Sequence, residues 1–247
     1  MQVAGDALQH HDVQFGERNK RHIFHTTPAE KRVVLVLLAI GALSLVIATF
    51  FDKNVTQVIM NQNSIFGNLF QNYADQGAQV VTFTSAEVIA WFIWRRIDDV
   101  VIKYIMTAGM LILAFNQMLA LLQDALSYTF SMLNNIQKGV PMGIANNTTA
   151  VQNYPEALRW GLAIILTAAL SLIFANWLNK KSDDDMNYLI VVAVVGIATV
   201  FIAQTMIGEM KTLWGRFRPY EMTTVSGHAF SEFTPWYHIN GINGHNS

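Results

Sequence analysis

The sequence predicts an all-α fold: a polytopic transmembrane helical bundle of about five spans, with the N-terminus in the cytoplasm. Three observations carry this. Hydrophobic residues make up 52% of the chain and charged residues only 13%, against roughly 25% charged in a soluble domain. The apolar residues fall in blocks, most of them close to the ~20 residues that a helix needs to cross the hydrocarbon. Most lysines and arginines fall in clusters, and the clusters next to the blocks favour one side of the membrane.

Residues 1–32 are polar, with Arg18, Lys20, Arg21, Lys31 and Arg32 approaching the membrane, and contain no apolar stretch of the kind a secretory signal needs. They read as a cytoplasmic tail that turns helical near Pro28. The first span is 33–51, free of charge. Residues 52–79 form an amphipathic loop, whose stretch from Ile65 to Phe70 suits the membrane interface. The second span, 80–94, contains Glu87 and stops at Arg95-Arg96. The third, 100–122, has Lys103 near its start, where the long side chain snorkels cheaply. A polar, Asn-rich connection covers 123–154. Pro155-Glu156 reads as a helix start, proline suiting the first turn and an acid the helix dipole. The fourth span is 157–178, then a charged turn at 180–185 and the fifth span, 188–207. The chain divides into a tail (1–32), a membrane domain (33–210) and an extracytoplasmic segment (211–247).

Orientation follows from the basic residues. With five spans, the tail, the Arg95-Arg96 turn and the Lys180-Lys181 turn share the cytoplasmic side. One cluster breaks this pattern: Lys211, Arg216 and Arg218 stand at the opposite end of span five.

Composition excludes several classes. A formal net charge of -1 says nothing about a polyanionic partner, and no nucleic acid is expected. The absence of cysteine rules out a disulfide framework and a thiolate metal site. His238 and His245 lie seven apart in a polar tail without the usual metal-ligand spacing, and His10, His11, His22 and His25 read as solvated, so no metal is expected. The glycosylation-type triplets at Asn54 and Asn146 are common by chance. Glu87, beside Thr84 and Ser85, reads equally as a functional intramembrane acid and as a hydrogen-bonded structural group. No internal repeat or broken helix of the transporter kind is visible.

The stretch from Lys211 to Pro219 carries the chemistry. Lys211 and Arg218 are seven apart; on a continuing helix they would share one face, two turns apart. A lysine point charge beside a guanidinium fork suits a phosphate dianion, and Pro219 would end the helix. The plainer alternative is that these cations flank a span and reach lipid headgroups.

Lys211, six residues, then Arg218-Pro219 resembles the first signature motif of the type-2 phosphatidic acid phosphatase superfamily. The late position after several spans fits, and the segment 233–247 looks like the linker that leads into Phe-Pro-Ser-Gly-His in bacterial members. The resemblance covers roughly the last fifth of the chain. It implies a phosphomonoesterase or diphosphatase acting on a lipid phosphate at the outer leaflet of a bacterial plasma membrane, such as phosphatidic acid or undecaprenyl diphosphate, with no metal or cofactor. Lys211 and Arg218 then bind phosphate, and Arg216, which is not a motif position, has no role. Ser226-Gly227-His228 spells part of the second motif, but Val225 replaces its proline and no apolar helix follows. Ser226 and His228 therefore read as a chance match, and the third motif, with the nucleophilic histidine, is missing. The expectation is a fragment that stops before the second motif, binds phosphate and does not turn it over. The rival reading is a non-enzymatic membrane scaffold or assembly protein whose basic cluster holds headgroups. Oligomeric state is not legible.

Overall fold

The computed structural model describes residues 28–59, 61, 63–143, 154–215, 233–235, 237–239 and 241. Among these, every regular element is a helix: α1 (Pro28–Ile59), α2 (Ile65–Tyr73), α3 (Gly77–Arg96), α4 (Val100–Gln137), α5 (Glu156–Asn179) and α6 (Asp183–Trp214). Four of them, α1, α4, α5 and α6, are long and apolar enough to cross a membrane. The other expected span is α3. Its 20 residues would cover about 30 Å, but it carries Gln79, Thr82, Thr84, Ser85 and Glu87 along its length. It occupies the centre of the bundle, packed against α4, α5 and α6, which shield those polar groups from lipid.

Local chemistry sets the helix ends. Ser64, Asp99 and Ser182 cap α2, α4 and α6 by accepting from the N–H groups of Gly67, Ile102 and Asp185. Pro155 is the N-cap of α5, and Glu156 follows in its first turn. Asp183, Asp184 and Asp185 place negative charge against the N-terminal dipole of α6. Short turns at 97–99 and 180–182 fold α3 onto α4 and turn α5 into α6.

Two expectations need correction. Residues 52–59, read as loop, continue α1 to Ile59. Residues 123–137, read as an Asn-rich connection, continue α4 to Gln137. Nothing in that stretch breaks a helix before Gly139, which has positive φ, and Pro141. Its polar residues have partners: Ser131 and Asn135 are buried, and Asn135 donates to the Met142 carbonyl. α2 lies along this extension. Tyr73 bonds Thr129 at 2.6 Å, and Asn72 reaches the Met132 sulfur at 3.9 Å. α2 thereby buries Asn68 and Asn72 and leaves Ile65, Phe66, Leu69 and Phe70 exposed.

The core has two parts. Phe83, Ala86, Ala114, Met118, Leu122 and Ala163 join α3, α4 and α5. Val88, Leu178, Met186 and Ala193 join α3, α5 and α6. Gly196 lets α6 approach α3 closely: a Cβ there would lie 3.0 Å from the Ser85 hydroxyl and 3.4 Å from Val81. α1 stands apart, its residues 31–47 exposed throughout.

The two basic turns meet. Arg95 donates to the carbonyls of Lys181 (2.9 Å) and Leu178 (3.5 Å) and pairs with Asp183 at 2.8 Å, while Arg96 approaches the same carboxylate at 3.4 Å. The Arg95-Arg96 and Lys180-Lys181 turns therefore share one end of the bundle. α6 starts at that end and carries its last turn to the other.

Candidate functional site

Lys211 lies in the last turn of α6, with its side chain exposed, and among the described residues it makes no ion pair. The helix stops just beyond it. Gly215 takes the left-handed conformation (φ 46°, ψ 42°) and donates its N–H to the Lys211 carbonyl at 3.0 Å. This is the glycine C-cap, which a residue with a Cβ adopts only at a cost.

The expectation that Lys211 and Arg218 share a helix face is therefore corrected. α6 ends at Trp214 with Gly215 as its left-handed cap, so no unbroken helix carries Lys211 on toward Arg218. Arg216, Arg218, Pro219, Ser226 and His228 lie outside the described residues, as do His10, His11, His22, His25, Asn146 and His245.

The chain that leaves Gly215 comes back. The Gly241 N–H donates to the Leu213 carbonyl at 2.9 Å, and the His238 N–H donates to the Pro235 carbonyl at 3.0 Å. Gly241 is thus held against the last turn of α6, at a residue two positions from Lys211. A helix C-terminus presents carbonyl oxygens and the negative end of the dipole. An anion held here needs side-chain cations, and Lys211 is one.

Glu87 forms a second cluster. It is 0% exposed. One carboxyl oxygen accepts from the Ser171 hydroxyl of α5, and the other from the Trp91 indole N–H at 3.0 Å. The neighbours suggested by sequence are not its partners, and Ser85 packs against Gly196. Glu87 thus links α3 to α5 inside a closed core. Ser171 was hidden from a sequence reading because it comes from another helix.

The sequence reading also passed over a third group. Gln79 and Thr82 of α3, Gln117 of α4 and Gln204 of α6 line one cavity of about 370 Å³. Their only signal was the Asn116-Gln117 pair in one apolar span and Gln204 in another. Nearer the chain's middle, Arg159 joins Gln123 (2.7 Å) and Glu156 (2.8 Å), fixing α5 to α4.

Comparison with protein-family models, with curated proteins and with solved structures returned no match.

Proposed function

We propose that the chain is the membrane domain and phosphate-binding end of a lipid phosphatase of the type-2 phosphatidic acid phosphatase kind. In this reading α1, α3, α4, α5 and α6 are its five spans, the N-terminus is cytoplasmic, and the end of α6 faces the outer leaflet of a bacterial plasma membrane. Lys211 and Arg218 grip the phosphoryl group of a lipid phosphate or diphosphate. The observation that supports this most is the position of Lys211. Basic residues that set topology collect on the cytoplasmic side, where the two basic turns meet. Lys211 stands at the far end of α6, where the Gly241 N–H bonds the Leu213 carbonyl. α3 serves as a span because its polar side chains face three neighbouring helices.

The 247 residues contain no third motif, and Ser226-Gly227-His228 substitutes poorly for the second. The chain as given therefore binds phosphate without hydrolysing it. Losing one charge-assisted hydrogen bond costs about 1.5–3 kcal/mol, or roughly tenfold to a hundredfold in affinity. Lys211→Ala and Arg218→Ala should each weaken binding of inorganic phosphate to the detergent-solubilised protein by that factor, and the wild type should release no phosphate from phosphatidic acid. Unchanged affinity in both variants would remove the phosphate site. Turnover abolished by His228→Ala would instead make His228 catalytic.

A further inference from the structure

Two cavities share Val200 along the seam between α3 and α6. The one nearer the start of α6, about 490 Å³, is walled by Val81, Tyr188, Val191, Val192 and Val195. The next, about 370 Å³, carries the uncharged hydrogen-bonding groups of Gln79, Gln117 and Gln204. In this second cavity the Thr82 hydroxyl is already spent on the Ala78 carbonyl at 2.9 Å. The Gln79 Oε1 is buried without a partner among the described residues. Ile197, Gln204 and Lys211 recur every seven residues, so they form one stripe along α6, and Lys211 lies about 10 Å beyond Gln204. Gly196 sets the depth of the seam by bringing the two backbones together.

Along α6 the cavities are apolar and then amide-lined, and the Lys211 cation lies on the same stripe beyond their end. Carboxamides facing hydrocarbon without a partner are costly, so a ligand that supplies hydrogen-bonding groups at that depth is favoured. A lipid phosphate has the same order of parts: a hydrocarbon chain, an ester linkage and a phosphoryl group. We infer that this groove binds one lipid phosphate lengthwise, its chain along Val191, Val195 and Val200, its ester linkage among Gln79, Gln117 and Gln204, and its phosphate at Lys211. The inference rests on the phosphate-binding reading of Lys211 and adds to it the tail and linkage sites, which set the substrate class.

The test uses the 247-residue protein in nanodiscs and three probes: dioleoyl phosphatidic acid, dioleoyl phosphatidylcholine and inorganic phosphate. Val195→Trp fills the apolar stretch from an exposed position, and Gln204→Leu removes part of the amide collar. Both variants should weaken phosphatidic acid binding about tenfold and leave inorganic phosphate binding unchanged, whereas Lys211→Ala weakens both. Near-UV circular dichroism checks that each variant keeps its fold. If the groove variants leave phosphatidic acid binding intact while Lys211→Ala weakens both ligands, the groove is refuted and the phosphate site stands. If Lys211→Ala changes neither, the phosphate reading fails and the groove assignment falls with it. Phosphatidylcholine held as tightly as phosphatidic acid overturns the proposal in favour of ordinary boundary lipid. Loss of self-association in Val195→Trp with lipid binding unchanged overturns it in favour of a second copy of the chain.

Discussion

Glu87→Leu is the sharpest probe of how the bundle is held together. The substitution removes both acceptors of a carboxyl group that has no exposure and leaves the Trp91 N–H and the Ser171 hydroxyl without their partner. In a soluble core, each orphaned donor would cost about 1–3 kcal/mol. Between membrane helices, hydrogen bonds average about 0.6 kcal/mol and reach about 1.7, because the unfolded chain in lipid also finds partners. The second scale applies here, so two lost bonds amount to about 1–3 kcal/mol. Glu87→Gln keeps an acceptor and the side-chain volume and should cost less than about 1 kcal/mol. The decisive measurement is a double-mutant cycle with Ser171→Ala, followed by reversible unfolding in mixed micelles. A coupling of about 0.6–1.7 kcal/mol is expected. Strictly additive single mutants would show that the bond between α3 and α5 contributes nothing, and the account of Glu87 as a structural link would be wrong.

Two further perturbations follow from named contacts. Gly196→Val forces a branched side chain to within about 3 Å of Ser85 and should destabilise by about 1–3 kcal/mol in the same unfolding assay; a combined Ser85→Gly change should recover part of the loss. Arg95→Ala removes charge-assisted bonds to two carbonyls and should cost about 1.5–3 kcal/mol, nearly independent of salt. Asp183→Asn should cost under about 1 kcal/mol, because that carboxylate is 60% exposed and the ion pair is screened, and comparing both variants at low and high salt checks the assignment.

The apolar helices were legible because lipid imposes one rule on every stretch facing it, and residues 33–51 and 188–207 satisfy that rule without a charge. The end of α4 was not legible. Its Asn and Ser residues look like a loop until α2 is seen to lie against them, and only the absence of a breaker before Gly139 hinted at a continuing helix. Near Lys211 the error ran the other way. Pro219 drew attention as the stop, but Gly215 ends α6 earlier, since a left-handed cap needs only the glycine and a free N–H. The partners of Glu87 come from α5 and from its own next turn, which local composition does not specify. Gln117, beside Asn116, and Gln204, beside Thr205, were visible as polar residues in apolar runs, but their meeting with Gln79 is a fact of how α3, α4 and α6 pack.

The acceptors of Arg95 lie 83 to 88 residues further along the chain. While the ribosome is still making α4 and α5, neither Asp183 nor the Lys181 carbonyl exists, so the guanidinium groups of the Arg95-Arg96 turn lack these partners. Only when α6 begins to emerge can Arg95 become a latch between the end of α3 and the start of α6. This fastening of the bundle therefore belongs to the last stage of its assembly.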